Sequence, residues 1–203
     1  QDVFNDGRIW TVTQPVNIDG GDLKGLEAAI SHQFTSLPGA LSGLGMQLNY
    51  TYIDQNGLED PNTNPTQILS TNGAGVPITD NRNSFRQFTG LPLQGYSDQN
   101  FNIVGMYEKD DISIRLAYTW RSAYLLTLRE SEEFVPAYSE DQGTMDASFS
   151  YNINENLKIG LQVNNVLGTD TKTQYQQDQQ GTLTDAFSFT SDRRYSLTVS
   201  AVF

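Results

Sequence analysis

Apolar and polar side chains alternate along stretches of about ten residues, and this repeat constrains the fold more than any other feature. Between residues 111 and 122, Ile112 and Trp120 fall on one face, whereas Ser113 and Arg115 fall on the other. A period of two is the repeat of a β-strand, because successive side chains point to opposite sides of a sheet. The chain is therefore predicted to consist of strands that each carry one apolar face.

The alternation predicts further strands, joined by links of two contrasting lengths. The predicted strands lie at residues 22–34, 42–54, 97–109, 144–153, 156–167 and 192–203, with an ambiguous eighth at 6–14. Short links lie at 35–43, 110–111 and 154–155, and long polar loops at 55–96, 124–143 and 168–191. Short periplasmic turns and long extracellular loops are the rule in outer-membrane barrels. The predicted fold class is all-β, an antiparallel transmembrane β-barrel with about eight strands present.

The direction in which the strands would cross the membrane also explains where the aromatic side chains lie. If the short turns are periplasmic, aromatic rings gather near the two ends of the strands, where amphipathic rings favour the membrane interface. The rings predicted near the periplasmic side are Phe34, Tyr107, Tyr151 and Phe203, and those near the outer side are Tyr50, Tyr52, Tyr118 and Trp120. The single histidine, His32, falls on the apolar side beside Phe34 and is predicted to be an interfacial anchor.

Composition excludes several classes of function. Cysteine is absent from the 203 residues and the formal net charge is −12. Disulfide frameworks and thiol chemistry are thereby excluded, and an acidic chain does not suit nucleic acid, which requires a basic surface. With one badly placed histidine, neither serine–histidine catalysis nor a histidine metal site has support. No enzymatic activity, cofactor or metal is predicted.

Short motifs follow one another along the chain in a defined order. They are Thr13–Asn17 with Lys24–Glu27, Leu37-Pro38-Gly39 before Leu48–Tyr52, Leu91-Pro92-Leu93 with Ser97, Tyr107-Glu108 before Arg115–Tyr118, Val163–Leu167, and Arg194-Tyr195. In order and spacing they resemble TonB-dependent receptors across nearly all 203 residues. One departure lies at residues 165–168, where the family more often has Asn-Leu-Phe-Asp. The closing Phe203 resembles the signal by which barrel-assembly machinery recognises outer-membrane proteins.

The resemblance implies an outer-membrane receptor of a Gram-negative bacterium that imports a scarce nutrient. Such receptors carry a plug domain inside a barrel of about 22 strands. We therefore expect residues 1–203 to be the C-terminal part of the barrel, with the plug absent. The implied partners are membrane lipid and lipopolysaccharide, the receptor's own plug, the TonB energy-coupling complex and a small-molecule substrate. Siderophores, cobalamin and oligosaccharides are the implied substrates, and motifs around the Leu-Pro-Gly turn favour carbohydrate.

Candidate site residues fall into two groups. Charged side chains predicted to face the lumen, where they could line the substrate path or contact the plug, are Glu27, Arg115, Arg121, Asp146 and Arg194. The alternative is that they pair within the barrel wall, since charges in a crowded lumen need partners. In the loop 55–96, aromatic and basic side chains suit sugar or siderophore binding; these are Arg82, Phe85, Arg86 and Phe88. The alternative there is a solvated loop.

Two other folds are also compatible with the sequence. Eight strands also suffice for a complete small barrel filled by its own side chains. A soluble β-sandwich binding module is the third reading, although it leaves the long loops unexplained. Only the resemblance separates the receptor fragment from the complete small barrel.

Overall fold

The computed structural model describes residues 2–5, 8–11, 22–56, 67–71, 77–80, 88, 90–130 and 135–202. The strands, in chain order, are β1 Asp2–Asn5, β2 Arg8–Thr11, β3 Asp22–Gln33, β4 Leu44–Asn56, β5 Gln67–Thr71, β6 Pro77–Asp80, β7 Gln99–Lys109, β8 Ile112–Arg121, β9 Tyr124–Glu130, β10 Val135–Ser139, β11 Gln142–Asn154, β12 Leu157–Asn164, β13 Thr171–Gln176, β14 Leu183–Phe189 and β15 Arg194–Ala201. All of their pairings are antiparallel.

Seven strands form the large sheet, in the order β15-β12-β11-β8-β7-β4-β3. These are the seven strands that the alternation predicted without ambiguity, and the antiparallel all-β fold is confirmed. At one end of the sheet, strands are joined by short links such as the tight turn Asp110-Asp111, where Asp110 adopts a positive φ of 54°. The sheet is open, because β3 and β15 lie at opposite edges and do not pair with each other. The ambiguous eighth strand at 6–14 contains β2, which pairs with β1.

The cross-strand register places nearly all the large apolar side chains of the large sheet on one face. Residues that are direct partners share a face, and the partner series runs Leu48–Ile103–Tyr118–Met145 across four strands. This apolar face is exposed: Leu26 is 63% and Leu197 73% accessible. A sheet face of this kind needs an apolar environment, because water would otherwise contact every ring and aliphatic chain on it.

Four strands form the small sheet, in the order β14-β13-β10-β9. Each continues a strand of the large sheet at the end opposite the tight turns, which we call the far end. The prediction of long polar loops at 124–143 and 168–191 was therefore wrong in part, since both contain strand hairpins. Register shifts between β9 and β10 and between β13 and β14 disrupt the alternation that would have revealed them. The loop 55–96 likewise contains the paired strands β5 and β6.

The most compact apolar core lies beside the small sheet. Phe88, Leu91, Leu125 and Val135 are buried together, and Leu128, Tyr138 and Tyr175 pack against them. On the large sheet, by contrast, Val104 is the one buried hydrophobic residue among those described. A short 3-10 helix, Gly39–Gly43, links β3 to β4. Within the described ranges, no helix has the length and apolar character needed to cross a membrane.

Candidate functional site on the polar face

The polar face of the large sheet carries all five charged residues that the sequence singled out. Glu27, Thr51, Asn100, Arg121 and Gln142 form one row of direct partners across β3, β4, β7, β8 and β11. Glu27 and Arg121 are three strands apart, about 14 Å at ordinary strand spacing. The row thus places a negative and a positive side chain at the same height on the polar face, too far apart for contact.

Arg121 is held by the segment that precedes β7. Its Nε donates to Ser97 Oγ at 2.9 Å, and its terminal nitrogen donates to the Gly95 carbonyl at 3.4 Å. The guanidinium also lies 3.8 Å from the centroid of the Tyr124 ring, a cation–π contact. We call residues 90–98 the strap. Arg121 therefore fixes the strap to the far end of β8 rather than standing as a free charge.

Gln55 holds the strap from the other side, and the sequence did not single it out. Its Oε1 accepts from the Leu93 backbone N–H at 2.7 Å, and its Nε2 donates to Asp98 Oδ1 at 3.2 Å. Gln55 and Leu93 are 38 positions apart, and glutamine is a common side chain on a polar strand face. The sequence predicted Gln55 to be the first residue of the loop 55–96, whereas the structure extends β4 to Asn56 and places Gln55 on the polar face.

Asp146 has a local structural partner. One oxygen of its carboxylate accepts from the Asn165 backbone N–H at 2.9 Å. Asn165 has a positive φ of 53° and its side chain bonds to Thr169 and Ser191, so Asp146 supports the turn after β12. That turn is the place where the sequence departs from the family motif. Gly168, at φ 66°, lies against the Arg193 guanidinium, and any Cβ there would come within 2.7 Å of it.

Arg115 and Arg194 lie on the same face, without an ionic partner in the described part of the chain. Arg115 is paired across the strands with Met106 and Ser148, and Arg194 with Asn164. The ion pairs found among the described residues are Lys24–Asp22 and Lys172–Glu140. The five predicted charges are therefore not paired with one another in the sheet as it stands, and their roles stay predictions.

The loop candidates can be assessed at one position. Phe88 is 1% exposed and packs in the core beside the small sheet, so its ring has no open face for a ligand. Arg82, Phe85 and Arg86 lie outside the described residues, as does the predicted assembly signal Phe203. Phe88 was one of two aromatics proposed to line a binding loop; burial makes it a packing residue, because an apolar ring gains most by leaving water.

Two titratable groups beyond the large sheet depart from their ordinary behaviour. Burial raises the pKa of Tyr138, which packs against the core. Hydrogen bonds from Thr182 lower the pKa of Asp178, and the Thr182 backbone N–H donates to its carboxylate at 2.9 Å. The ionised Asp178 thus closes the turn between β13 and β14. No group of three or more potential metal ligands is found where the chain is described.

The far end of the apolar face carries an aromatic group that includes Tyr118 and Trp120, two of the rings predicted for the outer interface. Phe101 stacks on Trp120 with ring centroids 5.2 Å apart, and Tyr118 lies 5.8 Å from Phe101. The Trp120 Nε1 donates to Asp141 Oδ2 at 3.3 Å, so the ring has one apolar and one polar end. At the other end of the sheet, the His32 ring packs edge-on against Phe34 with ring centroids 4.8 Å apart, and its role as an interfacial anchor stays a prediction.

An antiparallel sheet with one exposed apolar face, one polar face and extended strands at a single end defines a segment of a membrane β-barrel wall. The model of one family, described as "TonB dependent receptor-like, beta-barrel", matches residues 1–166. The chain belongs to this family, whose members are outer-membrane receptors and transporters of Gram-negative bacteria rather than enzymes.

A solved structure supports the fold independently. The siderophore receptor PiuA from Acinetobacter baumannii is similar over 89% of this chain, with a TM-score of 0.52 and 14% sequence identity. The aligned part is 22% of that receptor, so the chain spans about a fifth of its length. No curated protein matches the chain significantly.

Proposed function

We propose that this chain is the C-terminal wall of a TonB-dependent receptor barrel, and that the complete receptor imports a scarce nutrient by energy-coupled transport. The observation that carries the proposal is the seven-stranded sheet, with nearly all its large apolar side chains on one face. Lipid would cover the apolar face, and the polar face would line a lumen that holds the plug and the substrate path.

The arrangement of ends supports the same assignment. Tight turns join the strands at one end, whereas at the other end four strands continue into the small sheet with its own core. In outer-membrane barrels the elaborated end is extracellular. The far end would therefore meet the substrate first, and the tight turns would face the periplasm.

The open edges support a position within a larger barrel. All described side chains of β3, and those of β15, are exposed, and each strand has an unpaired edge. A barrel has no free edges in a membrane, because unpaired N–H and C=O groups are costly in lipid. Further strands of the receptor would pair with β3, and the first strand of the barrel would pair with β15.

Transport by the full-length receptor tests the proposal. Cells that contain or lack its gene would be given radiolabelled ferric catecholate, ferric hydroxamate, cyanocobalamin and a malto-oligosaccharide. Uptake of one probe class should require both the gene and an energised inner membrane, and a protonophore should reduce it to background. Uptake that persists after the protonophore, or the absence of gene-dependent uptake of all four, would contradict energy-coupled import of these nutrients.

The same panel identifies the substrate class. The sequence motifs favour an oligosaccharide, whereas the similar solved structure is a siderophore receptor. At 14% identity that likeness concerns the fold, so the four probes are compared on equal terms.

A further inference from the structure

The strap is anchored to β4 through both backbone and side chain. Gln55 binds Leu93 and Asp98 as described above, and its Nε2 also lies 3.5 Å from the Tyr96 carbonyl. The Ile53 backbone N–H donates to the Asp98 carbonyl at 2.8 Å. One glutamine side chain therefore satisfies polar groups at three positions of the strap.

The strap is anchored equally to the strand on the other side of β7. Ser97, 3% exposed, accepts from Arg121 and donates from its Oγ to the Ser122 carbonyl at 2.9 Å. The Gly95 backbone N–H donates to the Leu125 carbonyl at 2.8 Å. Because Gln55 and Arg121 both project from the polar face, the strap meets that face where β7 begins, between β4 and β9.

The backbone of the strap suits a fixed conformation. Gly90 and Gly95 have positive φ values of 68° and 87°, which glycine adopts without steric cost. Pro92 has its φ fixed by its ring. Leu91 is buried in the core beside the small sheet, so the strap is attached to that core as well. A segment with this many bonds and buried ends opens less readily than an ordinary loop.

The strap also contacts a half-buried polar side chain of β7. Asn100, in the same row as Glu27 and Arg121, donates to the Ser97 carbonyl at 3.5 Å. The outer surface of the strap is exposed, with Tyr96 44% accessible. The strap precedes Asn100 at the far end of β7, so its exposed surface lies next to that residue on the polar face.

We propose that the strap is a fixed ledge at the channel mouth that limits the size of solute able to reach the polar face along β7. Gln55 and Arg121 are the positioning residues that hold it in place. The proposal rests on the proposed function, since it takes the polar face to be the lumen.

Labelling of introduced cysteines in the full-length receptor, in living cells, tests the ledge. The chain has no cysteine of its own, so it contributes no background. Asn100→Cys reports on the position under the strap. Glu27→Cys is the matched control, because it occupies the same row two strands away. Each would be treated with a small methanethiosulfonate reagent and with a bulky polymer-linked maleimide.

The comparison is then repeated with the strap released by Gln55→Ala or by Arg121→Ala. We expect the ratio of bulky to small labelling at Asn100→Cys to rise about tenfold, the factor that one lost hydrogen bond of ordinary strength gives to a released state. Arg121→Lys, which keeps a donor, should recover part of the exclusion. If Arg121→Ala fails to reach the membrane, Gln55→Ala carries the test alone.

Two results would overturn the ledge. One is an unchanged ratio in the released variants, and the other is an equal rise at Glu27→Cys, which would indicate general loosening. Both results are read from cysteines that the small reagent still labels, which separates them from a failure of the proposed function. If the small reagent reaches neither cysteine in intact cells but labels both after permeabilisation, the polar face does not open outward. In that case the proposed function fails, and the ledge fails with it.

Discussion

The large sheet and the small sheet place their apolar side chains in opposite ways. On the large sheet, large apolar side chains such as Leu116 and Leu161 remain 46% and 44% exposed on one smooth face. Beside the small sheet, Leu125 and Val135 are fully buried. The strands of the two sheets follow one another closely along the chain, yet their apolar groups meet different surroundings a few residues apart.

The two arrangements suit different solvents. A face that stays apolar and exposed over seven strands is stabilised by contact with lipid, and its backbone is satisfied by unbroken pairing. Short strands with register shifts depend instead on a packed core that excludes water. The far end is thus organised like a small water-soluble domain attached to a membrane wall.

The greatest loss of stability is expected when the core of the small sheet is disrupted. Leu125→Ala removes a fully buried side chain, and truncations of this kind cost about 2–5 kcal/mol. Leu126→Ala is the matched control, since Leu126 is 37% exposed. In the full-length receptor, amide hydrogen exchange of peptides covering β9 and β10 should accelerate at least about 30-fold for Leu125→Ala, by the tenfold per 1.4 kcal/mol relation.

The same exchange experiment measures whether the two sheets are independent. Peptides from β7 and β8 should keep their protection if the small sheet opens by itself. Equal acceleration in β8 would mean that the two sheets open as one unit, and the contrast between them would then describe burial but not stability.

The contrast also explains which parts of the fold were predictable. Strands such as Ile112–Arg121 have one apolar and one polar face, so alternation alone locates them. By contrast, β9 contains adjacent Leu125 and Leu126, β10 contains Pro136, and β13 is almost wholly polar. These short strands pair because the long strands next to them in the chain are already paired, and the local sequence contains no alternation that would indicate it.

For the candidate site, the sequence predicted the sheet face of each charged residue but not the partners of that residue. Alternation places Arg121 and Glu27 on the polar face, and the structure puts both in one row. The partners of Arg121 come from the strap, more than 20 positions away, and Gln55 binds the strap across 38 positions. The alternation of side chains predicts which face of the sheet a residue lies on. Its hydrogen-bond partner is set by contacts between distant parts of the chain, which a single sequence does not reveal.

The next effect tests the lipid-facing assignment of the large sheet. Leu161 and Gln162 are adjacent in β12 and point to opposite faces. Leu161→Arg should destabilise the full-length receptor by about 2–4 kcal/mol in bilayers, the cost of an arginine on the lipid face near the midplane. Gln162→Arg should change stability by less than about 0.5 kcal/mol. Urea unfolding in lipid vesicles measures both, and equal losses would contradict the assignment of faces.

The smallest of the three effects concerns the junction between the two sheets. Asn165 combines a positive φ of 53° with three side-chain hydrogen bonds to Thr169 and Ser191. Asn165→Ala loses these bonds and adds the steric cost of a left-handed alanine, for an expected loss of about 1–3 kcal/mol. Asn164→Ala is the matched control, one residue earlier on β12.

A third variant separates backbone from side chain at this junction. Asn165→Gly keeps the left-handed conformation but removes the same hydrogen bonds. If backbone conformation dominates, Asn165→Gly should recover most of the urea midpoint lost by Asn165→Ala. If the hydrogen bonds dominate, the two variants should unfold together, and the junction would be held by the same kind of side-chain clamp that fixes the strap. A midpoint for Asn165→Ala equal to that of Asn164→Ala would show that the turn contributes nothing to joining the sheets.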